Sequence, residues 1–171
     1  MRTEIYWIEG PWRGRLAILP RPRGGDWLED EVLAWQREGI RVVVSALTKE
    51  EISELDLKRE SELCEANGIH YIAFPIEDRG VPSSIRATAE LVQRLDKRLA
   101  EGENVAIHCR QGVGRSALLA ACLLTVAGVD PSTALERVRV ARGCGVPDTT
   151  EQRQWISQFA RDFLVVITEK E

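Results

Sequence analysis

Histidine occurs only twice in this chain, methionine once and cysteine four times, at positions 64, 109, 122 and 144. No two of these cysteines stand at the short spacing of a zinc site, so no metal is expected. A disulfide framework is not expected in a chain of 171 residues either, and a reducing cytoplasm suits it best. Excess positive charge is also missing. The formal net charge of −4 gives no reason to expect nucleic acid or an anionic membrane as a partner. No apolar stretch reaches transmembrane length, and Met1-Arg2-Thr3-Glu4 leads into only four apolar residues, too few for a secretory leader. Repeats, low-complexity tracts and linkers are absent, and a single domain over 1–171 is expected. What is present is ordinary for a globular protein: 44% hydrophobic and 29% charged residues.

The order of patterns along the chain alternates between two periods. Short strands are expected at Ile5–Ile8 and Leu16–Leu19, an apolar strand at Val42–Ala46, and further strands at His70–Pro75 and Val105–His108. Asp26 with Glu29, Thr48 with Glu51, and Asp148 with Glu151 have the spacing of capping boxes that open helices. A further helix is expected from about Lys58 to Asn67. Ser83 stands before the stripe Ile85, Ala89, Val92, Leu95 and Leu99, and Asp130-Pro131 before a helix that Gly143 ends. Ser116–Ala127 is apolar on nearly every side, as a buried central helix would be. The last helix carries Trp155, Ile156, Phe159 and Phe163. Strands alternating with helices predict an α/β fold, a mostly parallel central sheet of about five strands flanked by helices. The tryptophans at 7, 12, 27, 35 and 155 read as core and loop anchors.

One run carries chemistry: His108-Cys109-Arg110-Gln111-Gly112-Val113-Gly114-Arg115-Ser116. It follows the strand Val105–His108 and opens the central helix, so its backbone N–H groups can converge at the positive end of a helix dipole. Such a point binds a phosphate-sized dianion and stabilises a thiolate, which predicts an acidic, nucleophilic Cys109. The planar fork of Arg115 matches two phosphate oxygens, and the amides from Arg110 to Arg115 would hold the rest. Ser116 can donate its hydroxyl to the sulfur, or serve as a helix cap. His108 reads as a loop-ordering residue, and His70 as a strand residue without catalytic consequence. A buried structural cysteine beside a glycine turn is the bland alternative. It leaves two glycines, an arginine and a serine at a helix start unexplained.

This nonamer resembles the signature of the cysteine-based protein phosphatases, His-Cys-x-x-Gly-x-Gly-Arg-Ser. Pro75-Ile76-Glu77-Asp78-Arg79-Gly80-Val81-Pro82 is similar to the family's general-acid loop, and Gly145-Val146-Pro147-Asp148-Thr149-Thr150-Glu151-Gln152 to its glutamine-bearing segment. The likeness runs over roughly residues 40 to 163. It is greatest to the compact dual-specificity subgroup, the kinase-associated phosphatases and their bacterial relatives. The acid loop lacks the tryptophan-proline-aspartate of the large tyrosine-specific enzymes, which argues against strict tyrosine specificity.

The resemblance implies the cysteine-phosphatase fold and two-step hydrolysis of phosphotyrosine and phosphoserine or phosphothreonine, with no cofactor. Cys109 would be the nucleophile, Asp78 the general acid with Glu77 as the fallback, and Gln152 the residue that orients water. Arg110, Gln111, Gly112, Val113, Gly114 and Arg115 would form the substrate pocket, and the partner would be a phosphorylated protein. Oligomeric state is left open. Cys144 or Cys122 could protect an oxidised Cys109 as a disulfide. The arginines at 13, 15, 21 and 23 form a solvated loop that could attract acidic substrates. Other readings stay open here: a phosphoinositide or RNA 5′-phosphate as substrate, a non-catalytic phosphoprotein-binding module, and a rhodanese-like sulfurtransferase.

Overall fold

Leu16–Leu19, Ile40–Ser45 and Asn104–His108 each carry a run of at least three consecutive apolar residues and are buried at nearly every position, as in a sheet covered on both faces. In the computed structural model, which describes residues 4–168, these are strands β2, β3 and β5. Met1–Thr3, part of the segment assessed above as a leader, lie outside the described residues. Strands β1 (Tyr6–Ile8) and β4 (His70–Ala73) complete one sheet of order β1-β2-β5-β3-β4. Only the β1–β2 pair is antiparallel.

Alternation along each strand divides the core. Leu16, Ile18, Val42, Val44, Val105 and Ile107 point to one face, and Ala17, Leu19, Val43 and Ala106 to the other. The first face is covered by α4 (Ile85–Ala100), α5 (Arg115–Val126), α6 (Pro131–Arg142) and α7 (Thr150–Thr168). The second is covered by α1 (Leu28–Arg37) and α3 (Glu60–Ala66), with the short α2 (Lys49–Glu54) following β3. Helix α5 is buried from Arg115 through Thr125, which is why its sequence shows no polar side.

Three helix starts differ from expectation. Asp26 and Glu29 form no capping box: Gly25, at φ +61°, leads into a 3₁₀ turn over Gly25–Trp27, so α1 begins at Leu28 without a side-chain cap. At α4 the cap is Ser84 and not Ser83: Ser84 has the extended backbone that precedes the first turn, and its Oγ accepts from the Ala87 N–H at 3.0 Å. At α7 the reciprocal pair is Thr149 with Gln152, each bond 3.1 Å, and not Asp148 with Glu151. That displacement frees Asp148 for the site. The box of Thr48 with Glu51 and the Asp130 cap with its Gly143 terminus form as the sequence predicts.

The loops that follow β4 and β5 leave the sheet on its carboxyl edge, the side where parallel α/β sheets place their ligand crevice.

Candidate active site

A peptide unit is planar and trans, so the N–H of each residue points opposite to the preceding carbonyl. Four consecutive carbonyls of the 109–114 loop are turned outward and held there. Cys109 O lies 3.4 Å from His108 Nδ1, and Arg110 O accepts from the Arg21 N–H at 3.1 Å. Gln111 O and Gly112 O both accept from the Arg142 guanidinium, at 3.3 and 3.0 Å. The N–H groups of residues 110 to 113 therefore face the inside of the loop, the cradle that the sequence pattern predicts. Gly112 sits behind this cradle at φ +72°, where an added Cβ would lie 2.8 Å from Leu19 C and O. Its smallness lets the loop close on β2.

Cys109 lies at the floor, 3% exposed, with its Sγ 3.2 Å from the hydroxyl of Ser116. Gly114 caps α5, so Ser116 is the helix's second residue and not its cap. The cleft above has a volume of about 140 Å³. Of the six predicted pocket residues, Arg110, Gln111, Val113, Gly114 and Arg115 line it and Gly112 does not, and they are joined by Cys109, Asp78, Arg79 and Asp148. Glu77 does not line the cleft, and its carbonyl closes a turn by accepting from the Gly80 N–H at 2.8 Å, so of the two candidate acids it is Asp78 that reaches the site.

Arg115 is 2% exposed and almost fully engaged. Its Nη1 donates to Glu51 Oε1 at 2.6 Å and to Ile76 O at 2.8 Å. Its Nη2 donates to Glu51 Oε2 at 3.0 Å and to Asp78 Oδ1 at 3.2 Å. A guanidinium has five N–H donors, so Nε remains for a ligand, together with whatever Asp78 gives up. Burial lowers the pKa of Arg115, but hydrogen bonding to Glu51 and the nearby anions outweigh it and the net shift is upward. Burial likewise pushes Glu51 up. The bonds it receives from Arg115, Thr48 and Arg110 prevail and hold its carboxyl at about 2.

The acid loop is held by three contacts, one to the start of α5 and two to the segment that opens α7. Asp78, with its side chain 58% exposed, meets Arg115. Arg79, in the left-handed region at φ +62°, pairs with Asp148 at 3.1 Å. Gln152 donates from Nε2 to Gly80 O at 3.0 Å while its Oε1 accepts from the Thr149 N–H. Gln152 is fully buried and ties the acid loop to the start of α7 in this state, rather than lining the cleft.

Sequence reasoning missed four participants. Glu51 was accounted for by its capping box, and Glu60 was an unremarked residue of a helix. Arg142 looked like an ordinary cation in the last turn of α6, and Asp148 like a cap. Glu60 places both carboxylate oxygens on His108 Nε2, at 2.7 and 3.0 Å. Elsewhere, His70 only meets Glu65 at 3.5 Å on the surface. All four cysteines are free thiols: Cys144 is exposed, and Cys122 lies in α5, where burial raises its pKa well above the ordinary value. In the arginine-rich segment, Arg15 covers the Trp7 ring and Arg23 pairs with Glu31, so those two cations are engaged away from the cleft.

A thiol under an amide cradle, with a buried arginine at the helix start and a carboxylate facing it, defines the class of cysteine-dependent phosphatases. The family Tc-R-P, described as polymorphic toxin system, DSP-PTPase phosphatase, matches residues 19–129. The chain belongs to that family. It is 33% identical over 123 residues to cyclin-dependent kinase inhibitor 3 of Sus scrofa, covering 71% of this chain and 58% of the relative. Against dual specificity protein phosphatase 22 of Mus musculus the identity is 32% over 88 residues, 51% of this chain and 48% of the relative. The chain thus spans about half the length of these curated relatives. The crystal structure of kinase associated phosphatase, with its catalytic cysteine changed to serine, superposes with a TM-score of 0.88. At 24% identity, covering 96% of this chain and 97% of that one, this likeness concerns the fold.

Proposed function

We propose that this chain acts as a single catalytic domain that hydrolyses phosphate monoesters on proteins, phosphotyrosine and phosphoserine or phosphothreonine alike, through a phosphocysteine. The observation that carries this reading is the convergence of Cys109, Arg115 and Asp78 on one small cleft. The phosphate dianion takes the inward N–H groups of the loop and the Nε side of Arg115, displacing Asp78 from Nη2. The displaced carboxyl, now beside a phosphate dianion, takes up a proton. Cys109 Sγ attacks phosphorus as the P–O bond to the leaving group breaks, and Asp78 gives its proton to the departing oxygen. Water then attacks the phosphocysteine with Asp78 as base, the P–S bond breaks, and the Ser116 hydroxyl, 3.2 Å from sulfur, hydrogen-bonds the leaving thiolate.

Dual specificity suits a cleft of about 140 Å³ whose rim is built from single residues of short loops such as Arg79, Arg110 and Asp148. The names of the relatives, a kinase-associated phosphatase and a dual specificity protein phosphatase, support a phosphorylated protein as substrate and partner. Four free thiols suit a reducing compartment such as the cytoplasm. No helix among the described residues is long and apolar enough to cross a membrane.

The test is hydrolysis of p-nitrophenyl phosphate and of phosphotyrosyl and phosphothreonyl peptides without added metal. Cys109→Ser should reduce turnover to background, and Asp78→Ala should lower kcat on the peptides by about 100-fold or more. Turnover that survives Cys109→Ser refutes the phosphocysteine route.

A further inference from the structure

Glu60 is an anion in the wrong kind of place for a surface helix residue. It stands at the start of α3, 1% exposed, and its carboxylate is directed at the Nε2 of His108, which is fully buried. A carboxylate only accepts, so Nε2 must carry a proton. The other ring nitrogen, Nδ1, faces a second acceptor, the Cys109 carbonyl at 3.4 Å. Two acceptors at two nitrogens are satisfied together only by an imidazolium. A buried carboxylate likewise demands an opposite charge, since a neutral partner leaves its desolvation uncompensated. The indole of Trp35 lies against the ring with centroids 6.1 Å apart and closes that side. Two titratable groups also feel Glu60. Burial first, and then its charge, raises the pKa of Cys64 on the same helix, and raises that of Tyr71 on β4 to about 12. Neither a thiol nor a phenol carries positive charge in any protonation state, so the basic side chain in contact with Glu60 is His108.

The Cys109 carbonyl is the first of the four held outward, and its orientation sets the Arg110 N–H, the first amide of the cradle. Resting on the phosphatase reading above, we propose that Glu60 is a positioning residue for the reaction. It holds His108 as an imidazolium whose Nδ1–H fixes the Cys109–Arg110 peptide. The role belongs to the transition state more than to ground-state binding, because equatorial phosphoryl oxygens come closest to those amides as phosphorus is transferred.

With two histidines in the chain, the proposal can be tested by ¹⁵N-histidine labelling of the full protein and a long-range ¹H–¹⁵N correlation. The His70→Gln variant assigns the two rings. At neutral pH both His108 nitrogens should carry protons in the unaltered protein, and Glu60→Gln should convert the ring to a single neutral tautomer. In parallel, Glu60→Gln should lower kcat about tenfold at nearly constant KM, with Glu60→Asp recovering part of the loss. A neutral His108 in an active, unaltered protein overturns the positioning role alone, as does a folded Glu60→Gln with kcat within about twofold of the parent. Should Glu60→Gln not fold, the spectrum of the unaltered protein decides. An inactive parent chain overturns the function and, with it, this role.

Discussion

Replacing Glu51 by Gln removes a charge without changing shape, and its consequence can be worked from the structure. The carboxylate accepts from Arg115 at 2.6 and 3.0 Å, from Arg110 at 3.1 Å and from the Thr48 N–H at 3.0 Å. Its pKa is lowered from 4.5 to about 2. That shift corresponds to about 3 kcal/mol in favour of the folded state, of which solvent at the cleft mouth takes back part, leaving about 2 kcal/mol. Because the folded-state value is the depressed one, this stabilisation is complete above 4.5 and is lost as the pH falls from there toward 2. An amide has one donor group that faces the N–H groups of Arg115, so the variant also leaves a buried cation poorly matched. A total loss of about 3 kcal/mol at neutral pH is expected. Urea unfolding of both proteins at neutral pH and again near pH 2 reads the difference. The gap should narrow to about 1 kcal/mol in acid, where most of the parent's charge-dependent stabilisation is gone. A gap that is equal at both pH values, or below about 1 kcal/mol at neutral pH, refutes the assignment of Glu51 as the ionic support of Arg115.

Two further outcomes follow from the cradle. Gly112→Ala places a Cβ 2.8 Å from the Leu19 carbonyl group at a left-handed backbone position. The folded protein should persist while vanadate affinity falls at least tenfold by titration of p-nitrophenyl phosphate hydrolysis, about 1.4 kcal/mol. Arg142→Met keeps the aliphatic stem but frees the Gln111 and Gly112 carbonyls, so vanadate binding should weaken about tenfold with little change in unfolding midpoint. Binding unchanged in Arg142→Met would mean the loop keeps its amides inward without outside help.

The strands and helices were legible because their signals are local. Val43 and Ala106 must be apolar on a sheet with two covered faces, and Pro131 with Gly143 marks both ends of α6. The nonamer likewise contains nucleophile, cradle and arginine within nine residues. Helix caps slipped by one where adjacent residues were both suitable, as at Ser83 and Ser84, since backbone angles and not residue type decide between them. The support of the site was not legible. Glu51 meets Arg115 across 64 positions, Glu60 meets His108 across 48 and Arg142 meets Gly112 across 30. Each has a sufficient local explanation that conceals its distant one. Gln152 carries a distant contact of the same kind: the resemblance assigns it to a water, and in the fold its side-chain amide also ties Gly80 to α7.

The contact between Asp78 and Arg115 makes the protein its own weak competitor. On the proposed reading, the Asp78 carboxylate of charge minus one holds the Arg115 Nη2 that the ester group would take, so an incoming monoanion such as a sulfate ester would exchange like for like and gain little. A doubly charged phosphate monoester gains about twice the attraction and can evict the occupant. If the chain hydrolyses phosphate monoesters as proposed, discrimination between phosphoryl and sulfuryl esters would thereby begin in the resting state, before any bond to sulfur forms.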